Sequence, residues 1–309
     1  MLTMEIVNFI LKLDIRGTTR AVPYKDKDLP MKDFNNKVAA ITGAGSGIGQ
    51  QLAVLLAKKG CHLALSDVNE DGLAKTVQLI QDKNIRVTTQ KVNVASLDEV
   101  RAWAQAVVKD HGNVNMIFNN AGVALGSTVE GASYEELEWI VNINFWGVVY
   151  GTKEFLPLIK KTGDGHIVNI SSLFGLTAQP TQSAYNATKF AVRGFTESLR
   201  QELDIENCGV SALCVHPGGI RTNIANAAKM NDSLLSLGMN PEKSAKTFNK
   251  LLRCPPEEAA RQILDAVQKD KRRLLIGNDA KAIDLVQRLL PTGYQKVTAL
   301  ATKLGQSKR

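Results

Sequence analysis

The segment Thr42-Gly43-Ala44-Gly45-Ser46-Gly47-Ile48-Gly49 constrains this chain more than any other stretch. It lies between an apolar run, Val38–Thr42, and a stretch of helical periodicity, Ile48–Lys59, which Gly60 closes as a C-cap. A strand that turns through glycines straight into a helix opens a βαβ unit. The glycines let the backbone turn tightly and come close to a ligand. The helix beginning near Ile48 points free N–H groups and the positive end of its dipole at the same place. An anionic group such as a pyrophosphate suits that geometry.

Strand signals recur at His62–Ser66, Arg86–Val92, Met116–Asn119, His166–Ser171, Val210–His216 and Arg273–Ile276. Helical periodicity fills the gaps at Glu70–Gln81, Leu97–His111, Tyr134–Ile159, Ala184–Glu206 and Glu257–Lys269. Parallel neighbours need right-handed crossovers, and repeated strand–helix units supply them. The reading is an α/β domain built on a doubly wound, seven-stranded parallel sheet. Residues 1–30 stand apart as an N-terminal extension. Leu2, Ile6, Phe9, Ile10 and Leu13 give it the spacing of an amphipathic arm, and Met31 is the alternative functional start. The domain then runs over 31–309, with a lid at about 223–256 and a C-terminal extension at about 278–309.

Apolar residues make up 44% and charged residues 22% of the 309, ordinary values for a globular chain. No run of 18 apolar residues occurs, so no membrane-spanning helix is expected. Glu5–Leu13 lacks the basic flank and small-residue cleavage site of a secretory signal. Cys61, Cys208, Cys214 and Cys254 show neither CxxC nor metal-ligand spacing, as expected of free thiols in a cytoplasmic protein. No metal site is expected, and His62, His111, His166 and His216 read as structural. The net charge of +8 is concentrated: residues 261–309 hold eleven Lys and Arg against four Asp. No basic patch interleaves with aromatics, which argues against a nucleic-acid partner.

Asp67 ends the second strand, 18 residues past Gly49, near the spacing at which a carboxylate takes the hydroxyls of a dinucleotide ribose. A 2′-phosphate there would meet a like charge, and Ser46 is neutral. NAD is therefore expected as cofactor over NADP. Further on, Tyr185 and Lys189 are spaced to share one helix face. A free phenol titrates near pH ~10, and an ammonium beside it is expected to pull that value down toward working range.

These motifs, TGxxxGxG, Asn119-Asn120-Ala121-Gly122, a Ser-Ser pair and YxxxK, fall in the order found in the short-chain dehydrogenase/reductase family, which the chain resembles from residue 37 to about 290. The resemblance implies a Rossmann fold and an alcohol/ketone oxidoreductase. It assigns Gly43, Gly47 and Gly49 to the glycine turn, with Ser46 and Ile48 beside them. Asn120, Ala121 and Gly122 become a wall beneath the adenine ribose. Pro217, Gly218, Ile220 and Thr222 become the segment over the nicotinamide. It implies Ser172 as catalytic serine, Tyr185 as acid/base, Lys189 on the nicotinamide ribose and Asn144 as holder of a relay water. Where the family usually has Asp ahead of the adenine pocket, this chain has Asn93, followed by Val94. The amide oxygen can still accept from an adenine amino group.

Ile224, Met230, Leu234, Leu235, Leu237, Met239, Phe248, Leu251 and Leu252 in the lid, facing Val123, Leu125, Leu173 and Phe174, point to an apolar alcohol or ketone as substrate; the alternative is that they simply pack the lid helix. After Asn278, Ile283, Val286, Leu289, Leu290, Val297, Leu300 and Leu304 describe basic amphipathic helices. They could cover another subunit, shield substrate or touch a membrane surface. A homodimer or homotetramer is expected, as in proteins resembling this one. Two other functions compete: a dinucleotide-binding regulator without chemistry, and a membrane- or anion-associated binding protein.

Overall fold

The computed structural model of the protein describes residues 31, 33–82, 84–224 and 227–307, leaving aside the side chains of 248, 251 and 305–307. The proposed arm of residues 1–30 lies outside these residues. Strands β1 (Val38–Thr42), β2 (His62–Asp67), β3 (Val87–Lys91), β4 (Met116–Asn119), β6 (Gly165–Ile170), β7 (Val210–Pro217) and β9 (Arg273–Ile276) form one sheet in the order β3-β2-β1-β4-β6-β7-β9. Every pairing in it is parallel, with Ile41 level with Leu65 on one side and Phe118 on the other. β1, β4, β6 and β7 are buried at every residue, as a strand covered on both faces must be. Edge strand β3 keeps a polar sequence and is only partly covered.

The helices are α1 (Gly47–Ala57), α2 (Glu70–Leu79), α3 (Leu97–His111), α4 (Tyr134–Val141), α5 (Gly147–Lys160), α6 (Ser183–Glu206), α7 (Pro241–Leu251), α8 (Pro256–Gln268), α9 (Asn278–Leu289) and α10 (Tyr294–Ser307). Local chemistry starts and stops them. Asn69 and Ser96 cap α2 and α3 by accepting from Gly72 N and Glu99 N. Ser133 and Glu136 make a reciprocal capping box on α4. Asn207 ends α6 in the left-handed region, at φ 55°.

Two cores lie on opposite faces of the sheet. One joins α1 and α8 to Ile41, Leu65 and Phe118, and takes in Met31 and Phe34 ahead of β1. The other joins α3, α5 and α6 around Trp103 and Phe155, whose rings meet edge-on with centroids 4.9 Å apart. Such a ring pair adds about 0.5–1.5 kcal/mol to its buried area. The strand order reverses between β1 and β4, so a crevice opens at their C-terminal ends.

Two features depart from the sequence reading. The helical pattern Tyr134–Ile159 is interrupted by a π-helical turn, Asn142–Trp146, between α4 and α5. There Gly147 packs against Val94, whose Cγ2 would lie 2.9 Å from any added Cβ. The lid carries a short strand β8 (Lys229–Met230), which pairs with β5 (Leu125–Gly126) and ties the lid to the loop after β4. Two-residue strands leave too little periodicity to be seen in a sequence.

Candidate active site

The glycine turn is built by mutual exclusion of side chains. Gly43 and Gly47 adopt positive φ, +65° and +56°. A Cβ on Gly49 would sit 2.2 Å from Gly43 O, so α1 reaches the turn only because that position is bare. The Asn120 side chain ties β4 to the turn, donating to Thr42 O at 2.9 Å and Gly43 O at 3.2 Å. Thr42 Oγ1 accepts from Asn120 N and Ala121 N, both at 3.0 Å. Asn120 is thus a brace for the loop as well as a wall of the crevice. Ser46 precedes α1 without a side-chain cap, so the helix presents its first N–H groups to the crevice. Asp67 Oδ2 accepts from Gly45 N at 2.9 Å, which fixes the carboxylate over the turn.

The second cluster comes from α6, the end of β6 and the π-turn. Tyr185 and Lys189 share one side of α6, with Lys189 Nζ 5.7 Å from the phenol ring centroid. Ser172 follows β6, and its Oγ accepts from Phe174 N at 3.1 Å. Ser171 Oγ donates to Lys189 O at 2.8 Å, binding the serine pair to the helix. Lys189 Nζ donates to Ile170 O at 3.1 Å. Asn144 is fully buried behind Gly122; a Cβ there would lie 3.2 Å from Asn144 Oδ1 and 3.5 Å from Lys189 Nζ. His216 Nδ1 stands 3.0 Å from Ser172 O. No local pattern marks this histidine as the backing of the serine.

Burial governs the titration of these groups. It raises the Tyr185 phenol above its ordinary value, and a hydrogen bond with Ser172 offsets part of that rise. It lowers Lys189 to about 8. The expected depression of the phenol by the ammonium is therefore not what this structure shows. The ammonium is spent on a backbone carbonyl, and desolvation dominates both groups. At neutral pH Tyr185 is a protonated phenol.

One cavity of about 1210 Å³ joins the two clusters. It exceeds the ~300–1,000 Å³ of an ordinary small-molecule pocket, leaving room for a dinucleotide together with a second ligand. Of the residues singled out in the sequence, Gly43, Ser46, Gly47, Ile48, Asp67, Asn93, Val94, Asn120, Ala121, Gly122, Ser172, Tyr185, Lys189, Pro217, Gly218, Ile220 and Thr222 all line it. Gly49 and Asn144 stand behind the lining. Asn93 Oδ1 accepts from Ala95 N at 3.1 Å, so one lone pair of the amide is already used locally.

The substrate wall differs from its sequence reading. Val123, Leu173, Phe174, Ile224 and Leu252 line the cavity, but Leu125, Met230, Leu234, Leu235, Leu237 and Met239 do not. Leu234 is buried under the lid, while Leu235 and Leu237 face outward. The side chains of Phe248 and Leu251 lie outside the described residues. Helix α9 contributes instead: Asn278, Asp279 and Ile283 line the cavity. Asp279 Oδ2 accepts from Gly219 N at 2.7 Å, pinning the segment after β7. Tyr294 Oη accepts from Ala178 N at 3.1 Å, holding the loop ahead of α6. Amphipathic spacing revealed the helices of the extension but not these two polar contacts.

A family model described as short chain dehydrogenase matches residues 37–233, a span that holds both clusters. The chain belongs to the short-chain dehydrogenase family. As a short-chain dehydrogenase it is an oxidoreductase that works with a nicotinamide dinucleotide, NAD or NADP. The SadH protein of Mycobacterium tuberculosis is 48% identical over 270 residues, 87% of this chain and 96% of that one. Among solved structures, a short-chain dehydrogenase/reductase from Burkholderia phymatum in complex with NAD is 29% identical, with a TM-score of 0.78 over 84% of this chain and 95% of that one. Levodione reductase is 28% identical, with a TM-score of 0.70 over 81% of this chain and 99% of that one.

Proposed function

We propose that this short-chain dehydrogenase interconverts a secondary alcohol and a ketone carried on an apolar body, with NAD in preference to NADP. The observation behind this reading is a single cavity in which Tyr185, Ser172 and Lys189 face the glycine turn and Asp67. When bound, the nicotinamide supplies or accepts the hydride. The chain does the rest. The Tyr185 hydroxyl gives its proton to the carbonyl oxygen in reduction and regains it in oxidation. Ser172 Oγ holds that oxygen by a hydrogen bond. Lys189 keeps a positive charge beside the phenol below pH about 8 and stands where it can bind a ribose. Asn144 holds Val123, and through it the floor beside Gly122.

Asp67 supports the choice of NAD, since its charge opposes a 2′-phosphate and no Lys or Arg lies among Val68, Asn69 and Glu70. The relative from Burkholderia phymatum holds NAD. A carbonyl substrate is supported by the likeness to a protein named for reducing levodione. The apolar side chains of Val123, Leu173, Phe174, Ile224, Leu252 and Ile283 favour an apolar body over a polyol. Exposed Trp146 and Phe190, on the π-turn and α6, support a homo-oligomer joined through that face. Four free thiols and a neutral main body fit the cytoplasm.

Tyr185→Phe tests the assignment. The variant keeps NAD affinity and loses turnover by about 10²–10⁴-fold, as loss of a positioned proton donor requires. Turnover close to that of the unaltered protein would remove Tyr185 from the chemistry. In a substrate panel, polyols outperforming aliphatic or alicyclic alcohols would overturn the substrate class.

A further inference from the structure

The outer face of the C-terminal extension is apolar and cationic; exposed Asp279, in the first turn of α9, lines the cavity and accepts from Gly219 N. Leu285, Val286, Leu289 and Leu290 on and just after α9, with Val297, Leu300 and Leu304 on α10, are 43–70% exposed. On α10 the apolar residues recur at i, i+3 and i+7, a single stripe. Thr298 and Thr302, half-buried, face the body of the protein instead. Exposed Lys281 flanks the stripe on α9, and exposed Lys296 and Lys303 flank it on α10. Between Ala280 and Ser307 the sole carboxylate is Asp284, which is buried to 13% exposure and held by Arg273 and Arg288. The sequence adds Lys308 and Arg309 beyond.

We infer that helices α9 and α10 form a docking surface for an anionic lipid bilayer, with their apolar stripes entering the acyl boundary and the lysines meeting the headgroups. An amphipathic helix with basic flanks lies in the interface plane for these two reasons together. No described helix is long and apolar enough to cross a membrane, so the contact is peripheral. A second copy of the chain fits this face less well. Pairing the face with itself would bring Lys281, Lys296 and Lys303 against their own counterparts, with no exposed acid between Ala280 and Ser307 to neutralise them. The face is also continuous with the cavity: Ile283 lines the cavity from the inner side of the same α9. Seated on lipid, that end of the cavity opens beside the acyl chains, from which an apolar alcohol or ketone enters without crossing water. This last step rests on the proposed function; the docking does not.

Flotation of the full chain with vesicles tests the docking. With equimolar phosphatidylglycerol and phosphatidylcholine the protein floats, and rising salt or phosphatidylcholine alone weakens the binding. The double variant Leu289→Glu/Leu300→Glu floats at least about tenfold less, because it places two charges in the acyl boundary. Lys296→Glu/Lys303→Glu has a similar effect on anionic vesicles only. Both variants alter exposed side chains and keep the unaltered circular dichroism and NAD binding. Tyr185→Phe floats like the unaltered protein, which separates a failure of docking from a failure of the proposed chemistry. The inference is overturned if the unaltered protein stays at the bottom with anionic vesicles, or floats equally well after the leucine substitutions. It is also overturned if Leu300→Glu halves the sedimenting mass, for then a second copy covers the face.

Discussion

Asn144 and Val123 clasp each other at two points: Asn144 Oδ1 accepts from Val123 N at 2.8 Å, and Asn144 Nδ2 donates to Val123 O at 2.9 Å. An amide side chain has both polarities, so buried Asn144 satisfies a backbone N–H and C=O together. The π-turn is what swings Asn144 inward to reach Val123. Each orphaned buried group costs about 1–3 kcal/mol. Asn144→Ala therefore lowers stability by several kcal/mol and displaces Gly122, reducing kcat. Asn144→Asp keeps the acceptor but turns the donor into a second acceptor, and it loses activity too. Thermal melts and steady-state kinetics read both, and an Asn144→Ala enzyme that melts and turns over normally would refute the clasp.

Two histidines set an acid limit on the fold. His166 and His216 are fully buried, and desolvation lowers each pKa from 6.5 to about 4. Their folded values lie below the unfolded ones, so the unfolded chain binds more protons between those limits. The stability this represents is complete above pH about 6.5 and is lost as pH falls toward about 4. At ~1.4 kcal/mol per pKa unit, each histidine contributes roughly 3 kcal/mol. Urea melts from pH 7 down to 4 are expected to show unfolding coupled to uptake of about two protons. In His216→Gln the uptake falls to about one. A pH-independent midpoint across that range would exclude the assignment.

The parallel sheet was legible in the sequence because buried parallel strands are short apolar runs closed by glycine or polar residues, and each run here is followed by a clear helical period. The glycine turn and Tyr185–Lys189 were legible because spacing alone dictates their geometry. The π-turn was not, since one extra residue in a helix leaves the surrounding periodicity intact. Asp279 and Tyr294 were missed for another reason. Each acts through a backbone group far away in the chain, Gly219 N and Ala178 N, and no local pattern marks such a partner. The lid methionines and leucines misled because apolar composition does not say which way a side chain points.

Asp67 has two duties that substitutions can separate. Its carboxylate faces the cavity and also accepts from Gly45 N and Asn69 N, each at 2.9 Å. Asp67→Asn removes the charge that opposes a 2′-phosphate while keeping an acceptor oxygen for the loop. Asp67→Ala removes both. The NAD-over-NADP ratio of kcat/KM is expected to fall about tenfold or more in each variant, equivalent to about 1.4 kcal/mol. The melting temperature falls mainly in Asp67→Ala. An unchanged cofactor ratio in both variants would take the selectivity away from this residue.

Gly49 and Gly194 give opposite outcomes for the same chemical change. Both lie inside helices, where alanine is intrinsically better than glycine by about 0.5–1 kcal/mol. Within its own chain a Cβ on Gly194 meets nothing within 4 Å, so in the single chain Gly194→Ala gains that increment. On Gly49 it would stand 2.2 Å from Gly43 O and 2.6 Å from Asn120 Nδ2. Neither the turn carbonyl nor the amide that braces it can retreat without opening the glycine turn. Overpacking of this kind costs about 1–3 kcal/mol, enough to reverse the helical gain. Gly49→Ala is therefore less stable in urea and binds NAD weakly, whereas Gly194→Ala is more stable and binds it normally. Equal NAD affinity in the two variants would mean that α1 can shift away from the turn, and that its bare contact with Gly43 is not what shapes the site.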